Sequence, residues 1–139
     1  QVMLKDDDWC FACGQRNPHG LQLKNFTRDG GSCTVEFTAQ RHHQGWMEMV
    51  HGGIVATLLD EIMTRNLWEQ GHNVATAELT VRYHQAAPVG KPLLARSWVV
   101  ASRRRYFATA AELLLSDGSL VASAQAKFLI PRDEYEGDD

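Results

Sequence analysis

The stretch from His51 to Trp68, which reads HGGIVATLLDEIMTRNLW, most constrains the fold. Its apolar residues recur at intervals of about four, a spacing that predicts an amphipathic helix of about five turns. Those residues are Ile54, Leu58, Ile62 and one of Met63 or Leu67. No proline interrupts the stretch, and Gly71 is expected just beyond its C-terminal end. The rest of the chain must cover the apolar face of this helix.

Strand-like patterns lie on both sides of the helix. Before it, Leu21 and Leu23, and then Val35 and Phe37, alternate with polar residues around the turn Asp29-Gly30-Gly31, which predicts a hairpin. After it come four further strand-like segments, Val74 to Tyr83, Leu93 to Ala101, Tyr106 to Leu115 and Leu120 to Ile130. Hairpin-length connections favour an antiparallel sheet. We therefore predict an α+β fold in which one long central helix is wrapped by five to six strands.

Length and composition narrow the class of protein. The chain has 139 residues, of which 44% are hydrophobic and 22% charged, so we predict one domain over residues 1–139, with 1–9 and 131–139 as flexible tails. A net charge of −3 provides no basic field for nucleic acid. Because the chain has no membrane-length apolar run, no signal-peptide core and three cysteines that cannot all pair, we expect a cytoplasmic protein.

Two segments contain residues that often bind metals. The motif Cys10-Phe11-Ala12-Cys13-Gly14, together with His19 and Cys33, could be imagined as a zinc site. A structural zinc ion needs four protein ligands, so the motif by itself favours a turn of small residues packed on the core, and we predict no metal. In the loop at residues 41–50, His42 and His43 are expected to be solvated rather than ligands.

The helix also contains groups suited to acyl-transfer chemistry. Gly52 and Gly53 would let a substrate approach the unpaired N–H groups of a helix N-terminus, where developing negative charge is stabilised. Asp60 could activate water or attack directly, whereas Glu61, about 100° further round the helix, is expected to be structural. Gly53 and Asp60 lie roughly 10 Å apart along the axis. A shared site therefore requires a second copy of the chain, and we predict a homodimer or a dimer of dimers.

Together these features resemble a known family. His51-Gly52-Gly53 at the start of a long helix, Asp60 nine residues later, the strand Thr76 to Val81 and the final hairpin Gly118-x-Leu120-Val121-Ala122 are similar to the hotdog-fold acyl-CoA thioesterases, in particular their phenylacetyl-CoA-thioesterase-like branch. The resemblance covers residues 20 to 130. It implies a catalytic set of His51, Gly52, Gly53, Asp60 and Thr76. In that set Asp60 is the catalytic carboxylate, the glycines bind the thioester carbonyl and Thr76 orients water.

Some expected binding residues lie outside this motif. Where some relatives have an asparagine six residues before the histidine, this chain has Gly45, and Gln44 or His43 is the candidate replacement. Thr76 and Thr80 differ by four positions and are therefore expected to share a strand face, which makes Thr80 a second candidate for substrate binding, although β-propensity alone also explains a threonine there.

The basic run at residues 103–105 is a third possible binding element. Arg103 and Arg104 suit the phosphates of coenzyme A, although a solvated turn explains the run equally well.

Three functions fit these residues. The first is an acyl-CoA thioesterase without a cofactor. The second is a related hydratase or dehydratase that would use His51 and Asp60, and the third is a non-catalytic acyl-CoA binder. Trp46, Met47, Met49 and Trp68 could line either an aromatic or an aliphatic pocket, so the sequence leaves the acyl group open.

Overall fold

The computed structural model describes residues 4–132, so the parts of the predicted tails at 1–3 and 133–139 lie outside the described residues. One α-helix, α1, spans Gly52–Glu69, and a short 3-10 turn spans Arg41–His43. The strands are β1 Thr27–Asp29, β2 Ser32–Thr38, β3 Ala75–Tyr83, β4 Pro92–Arg103, β5 Tyr106–Leu115 and β6 Leu120–Leu129.

The six strands form one antiparallel sheet in the order β1-β2-β4-β5-β6-β3. The helix packs along one face of this sheet, and the core lies between them. The predicted α+β architecture is therefore confirmed, with six strands. Within the described residues β3 pairs only with β6, so its other side is a free sheet edge. No helix of this part of the chain combines the length and apolar character needed to cross a membrane.

The ends of α1 follow from local chemistry. The Nδ1 atom of His51 accepts a hydrogen bond of 2.8 Å from the Gly53 N–H and caps the N-terminus. At the other end, Gly71 has a φ of +93°, the left-handed conformation that commonly follows a helix. Met63 and Leu67, predicted as alternatives, are both buried. Truncating a residue of this core such as Leu58, which is fully buried, to alanine should cost about 2–5 kcal/mol.

The first hairpin begins later than predicted. Its turn at Gly30 and its second strand are as expected, but Leu21 and Leu23 lie in an irregular segment before β1. Gln22 and Asn25 adopt positive φ values of 52° and 63°, which interrupt an extended strand. The two leucines are buried all the same, so their alternation reflects packing on the core rather than pairing in the sheet.

One histidine of the loop is not solvated. His42 is exposed as predicted, but His43 is only 7% exposed and packs against Phe37 in a tilted arrangement, with ring centroids 5.3 Å apart. Its Nδ1 atom accepts a hydrogen bond of 2.9 Å from the Gln40 N–H, which closes the 3-10 turn. Its Nε2 atom is buried without a partner in the described part of the chain. The prediction of a solvated His43 was wrong because this turn folds the ring inward.

Candidate active site

Asp60 on α1 and Thr76 on the edge strand β3 form a hydrogen-bonded pair that links the helix to the sheet. The Thr76 hydroxyl donates a hydrogen bond of 2.8 Å to Oδ1 of Asp60. Asp60 is half-buried. Burial raises the pKa of the Asp60 carboxyl, and the hydrogen bond from Thr76 opposes that rise. A carboxylate oriented in this way can act either as a general base or as a nucleophile.

A β-bulge places Thr76 on the helix side of the sheet. The pairing of β3 with β6 shifts between Thr76 and Glu78, so one extra residue interrupts the alternation of faces. Thr80 lies on the opposite face, where it lines a small surface cavity with Gln125 and Lys127. The prediction that Thr76 and Thr80 share a face was therefore wrong. Thr80 points away from the carboxylate.

At the start of α1 one backbone donor remains free. His51 uses its carbonyl to accept from the N–H groups of Ile54 and Val55, and its ring accepts from Gly53. The Gly52 N–H has no acceptor among the residues that the structure describes. Of the two predicted glycines, Gly53 is therefore engaged by the cap, and Gly52 presents an N–H that is free to bind a ligand.

Tyr83, which sequence reasoning missed, fixes the position of this helix end. Its hydroxyl donates a hydrogen bond of 2.7 Å to the Gly52 carbonyl, joining the end of β3 to the first residue of α1. No local pattern identifies this contact, because the two residues are 31 positions apart.

A cleft of about 630 Å³ opens beside the helix N-terminus. Its walls are largely apolar and include Trp46, Met49, His51, Gly52, Val55 and Tyr83. Gln44 itself does not line the cleft; its side-chain oxygen accepts from the Glu48 N–H, and Gly45 occupies the wall. The cleft is large enough for part of a small organic ligand.

One chain does not bring the free N–H and the carboxylate together. Gly52 and Asp60 are eight residues apart on one helix, which separates them by roughly 12 Å along the axis. They also contact opposite ends of β3, since Gly52 contacts Tyr83 and Asp60 contacts Thr76. The separation between the helix N-terminus and the carboxylate, which the sequence already predicts, is therefore present in the structure.

The basic run at residues 103–105 forms the turn between β4 and β5, at the same end of the sheet as Thr76. Ala75 on β3 pairs with Leu129 on β6. Leu129 also pairs with Tyr106 on β5, which pairs with Arg103 on β4. The turn is thus three strand spacings, or roughly 15 Å, from the Thr76 end of β3.

The three arginines of this turn differ in their surroundings. Arg105 is half-buried and donates a hydrogen bond of 3.2 Å to the Ile130 carbonyl. Arg103 and Arg104 are exposed, and Arg104 has a positive φ of 55° at the tip of the turn. The exposed pair is thus Arg103 and Arg104, not the Arg103 and Arg105 that strand alternation would place on one face, because Arg104 and Arg105 lie in the turn between β4 and β5.

Glu61 faces a different part of the protein from Asp60. It is half-buried against the N-terminal segment, where its carboxylate lies beside the thiol of Cys13. Burial raises the pKa of Glu61, while the contacts with Cys13 and Arg65 lower it. Burial, followed by the contact with Glu61, raises the pKa of Cys13. Glu61 is thus separate from the Asp60–Thr76 pair.

A single long helix packed on a six-stranded antiparallel sheet defines the hotdog fold. The family model of the thioesterase superfamily matches residues 47–122. This chain belongs to the thioesterase superfamily. The matched range contains the whole of α1 and the Asp60–Thr76 pair.

Solved structures support the same assignment. A thioesterase superfamily protein is 27% identical, with a TM-score of 0.78; the match covers 84% of this chain and 60% of that one. The present chain thus spans less than two thirds of that relative. A second thioesterase superfamily protein is 30% identical, with a TM-score of 0.71, and the match covers 79% of this chain and 85% of that one. The predicted membership of the hotdog-fold thioesterases is confirmed.

A more distant structure shares the fold. It is the smu.793 protein of Streptococcus mutans, bound to acetyl CoA; it is 20% identical, has a TM-score of 0.71, and matches over 77% of this chain and 89% of its own. No curated protein matches the chain.

Proposed function

We propose that this protein is an acyl-CoA thioesterase, which hydrolyses a thioester to a free acid and coenzyme A at sites shared by two subunits. The observation that carries the proposal is the Asp60–Thr76 hydrogen bond of 2.8 Å, which orients a half-buried carboxylate on the central helix. Membership of the thioesterase superfamily supports the reaction class.

Gly52 would stabilise the charge that develops during hydrolysis. When water or a carboxylate adds to the thioester carbon, the carbonyl oxygen becomes an oxyanion. The free N–H of Gly52, at the positive end of the helix dipole, is a donor suited to that oxygen. Removing one such donor typically slows an enzyme by about 10²–10³-fold. Gly53 contributes indirectly, because its bond to His51 holds the cap in place.

Asp60 would start the reaction in one of two ways. As a general base it takes a proton from water as the water oxygen adds to the carbonyl carbon; the C–S bond then breaks, and the proton held by Asp60 passes to the CoA thiolate, directly or through solvent. As a nucleophile its oxygen adds to the carbonyl carbon and the C–S bond breaks, which releases CoA as a thiolate that takes a proton from solvent; water then hydrolyses the mixed anhydride to the free acid and restores Asp60. In both routes Thr76 keeps the carboxylate oriented towards the substrate. The positions of Asp60 and Thr76 serve either route.

The complete site would combine Gly52 of one subunit with Asp60 of its partner. The distance within one helix, roughly 12 Å, is too long for both groups to act on one carbonyl. An antiparallel pair of α1 helices brings each carboxylate to the other subunit's helix N-terminus and creates two equivalent sites. The free edge of β3 supports this arrangement, since it can pair with the same strand of a second copy.

The positive charge of two exposed arginines supports coenzyme A as part of the substrate. Arg103 and Arg104 are exposed at the same end of the sheet as Thr76, and guanidinium groups bind phosphate oxygens bidentately. Roughly 15 Å separates the turn from the Thr76 end of β3, a span that the extended CoA arm can cover. The Streptococcus mutans protein with this fold binds acetyl CoA, which supports the same ligand class here.

The geometry of His51 favours hydrolysis over hydration of a double bond. A hydratase would need a histidine that can accept a proton beside the substrate. The Nδ1 lone pair of His51 is already used by the Gly53 N–H. In the neutral ring Nε2 then carries the proton, and it can only donate to a ligand.

The most direct test is a panel of acyl-CoA esters assayed for release of free thiol. The panel should include short aliphatic, long aliphatic and arylacetyl groups, because the cleft contains both aromatic and methionine side chains. We expect turnover of at least one class, and loss of that turnover in Asp60→Asn with retained binding of CoA. Binding of CoA esters without release of thiol in the unaltered protein would make it an acyl-CoA binder instead.

A further inference from the structure

The N-terminal turn and the central helix bring three metal-ligating side chains together. The Sγ atoms of Cys10 and Cys13 and a carboxylate oxygen of Glu61 all lie within 4.8 Å of one another. The cysteines come from one turn, whereas Glu61 is 48 positions further along the chain, so spacing in the sequence does not show the cluster. His19 and Cys33, the ligands considered from the sequence, are not part of it.

The turn is held by its own backbone before any ion binds. The Gly14 N–H donates a hydrogen bond of 2.9 Å to the Cys10 carbonyl. A Cβ atom on Gly14 would lie 2.4 Å from the Cys10 nitrogen, so only glycine fits. Asp8 adds two bonds, since its carbonyl accepts from the Arg16 N–H and its carboxylate from the Gln15 N–H. The two thiols are therefore held close together by the turn itself.

The turn is also attached to the domain independently of its cysteines. The Phe11 carbonyl accepts from the Leu21 N–H at 2.8 Å, and the Ala12 carbonyl accepts from the Leu23 N–H at 2.9 Å. The side chains of Ala12 and both leucines are buried in the core. Substitution of the thiols should consequently leave the turn in place.

We propose that Cys10, Cys13 and Glu61 bind one Zn²⁺ ion, with a water molecule as the fourth ligand. Two thiolates with one carboxylate form a donor set that suits Zn²⁺ and excludes Mg²⁺ and Ca²⁺, which prefer oxygen ligands throughout. Cys10 is exposed and borders a cavity of about 290 Å³ that also reaches Glu61, which leaves room for the water.

The geometry needs only small adjustments. At the usual Zn–S and Zn–O distances, the ligand atoms of a tetrahedral site are roughly 3.5–3.8 Å apart. The ligand atoms of the present cluster lie within 4.8 Å of one another, so movements of about 1 Å would bring them to that spacing. Binding releases the two thiol protons to solvent, and Glu61 coordinates as a carboxylate. No oxidation or reduction is involved.

Binding of the ion would join the N-terminal segment to the middle of α1. Glu61 follows Asp60 directly but points about 100° further round the helix, towards the N-terminal segment. The ion would therefore brace the helix next to the proposed catalytic carboxylate without entering the site itself. Zinc binding does not depend on thioesterase activity, so it can be tested separately.

The test uses the whole 139-residue chain, freed of metal with a chelator under reducing conditions and titrated with Zn²⁺ against a chromophoric chelator. We expect one Zn²⁺ per chain, a higher melting temperature on addition of zinc, and with Co²⁺ a thiolate-to-metal charge-transfer absorption. Cys10→Ser and Cys13→Ser should abolish stoichiometric binding and the absorption. Glu61→Gln should weaken the affinity at least about tenfold, since it removes a ligand charge.

Matched controls separate a three-ligand site from general binding. Glu69→Gln changes an exposed carboxylate on the same helix, and His19→Ala changes an exposed histidine of the same segment. Both variants should retain the affinity of the unaltered protein. Three results would each overturn the proposal. They are failure of the reduced protein to bind zinc at micromolar concentration, undiminished binding in Cys10→Ser, and unchanged affinity in Glu61→Gln.

Discussion

Thr76 donates its hydroxyl hydrogen to Oδ1 of Asp60 over 2.8 Å, although the two residues lie on different elements, β3 and α1. The contact exists because a bulge between Thr76 and Glu78 turns the threonine towards the helix. A regular strand would place it on the other face, with Thr80. The bulge thus has a chemical consequence, since it supplies the hydrogen bond that orients the carboxylate.

The first prediction concerns this hydrogen bond. A hydrogen bond to a charged group contributes about 1.5–3 kcal/mol, so Thr76→Ala should lower kcat by roughly 10–100-fold. Thr76→Ser keeps the hydroxyl and should retain most of the rate. Thr80→Ala is the matched control on the opposite face, and its kcat should be close to that of the unaltered protein. Thiol release with the best acyl-CoA measures all three, and equal rates in Thr76→Ala and Thr80→Ala would contradict the assignment.

The second prediction concerns the exposed arginines. Arg103→Ala and Arg104→Ala should each raise KM for acyl-CoA by about 10–100-fold, because each loses a charge-assisted contact with phosphate of about 1.5–3 kcal/mol. The KM of the unaltered protein should also rise with salt concentration, and less so in the variants. Arg28→Ala, an exposed arginine on β1, should have little effect. Unchanged KM values in both variants would show that the basic run is a solvated turn that does not bind the substrate.

The extent to which the fold was predictable depended on how local each signal is. The helix boundaries and the strand Tyr106–Leu115 were predicted closely, because periodicity and glycine turns act over a few residues. Leu21 and Leu23 were misassigned because burial in an irregular segment produces the same alternation as a strand. Their burial was foreseeable, whereas their hydrogen-bond partners were not.

The site was predictable only where residues follow one another along the chain. The order of Gly52 and Asp60 on one helix already implied that a single chain could not unite them. The bulge at Thr76, by contrast, leaves no trace in the alternation of the sequence. The cluster of Glu61 with Cys13 and the bond between Tyr83 and the helix start are long-range contacts, and neither residue of such a pair indicates the other.

The third prediction concerns pH and the buried His43. Burial, followed by the charge of His42, lowers the pKa of His43 below its usual value of 6.5. The unfolded chain therefore binds more protons below that pH. Stability should be constant above about pH 6.5 and fall as the pH is lowered towards the pKa of the folded state. Protonation at Nδ1 would also break the bond from the Gln40 N–H.

Urea unfolding at pH 7.5 and pH 5.5 measures this effect. His43→Asn offers an oxygen near the position of Nδ1 but does not titrate, so it should lose part of the pH dependence. His19→Asn changes an exposed histidine and should retain the full dependence. An unchanged dependence in His43→Asn would assign the acid sensitivity to other groups.

The fourth prediction concerns assembly. Because α1 separates Gly52 from Asp60 by roughly 12 Å, the active protein should be at least a homodimer, and a dimer of dimers is compatible with the same sites. Light scattering or sedimentation at micromolar concentration measures the mass. A monomer that retains full thioesterase activity would be incompatible with shared sites.

The last prediction tests the shared site directly by complementation. Asp60→Ala removes the carboxylate. Gly52→Pro removes the free N–H at the first helical position, where proline is well tolerated. His51, with φ −57° and ψ 135°, already has the backbone conformation favoured before proline. Gly52→Ala keeps the N–H, and its Cβ would meet Tyr83 only at 3.5 Å, so it is the matched control and should remain active.

Each of the two inactivating variants alone should lose nearly all turnover. When they are mixed and subunits exchange at random, about half of the dimers contain one of each, and each such dimer has one site with both lesions and one with neither. Activity should therefore return to roughly a quarter of the native rate, as measured by thiol release after exchange has been verified by mass spectrometry. If exchange is complete and no activity returns, Gly52 and Asp60 do not act on the same thioester from different subunits.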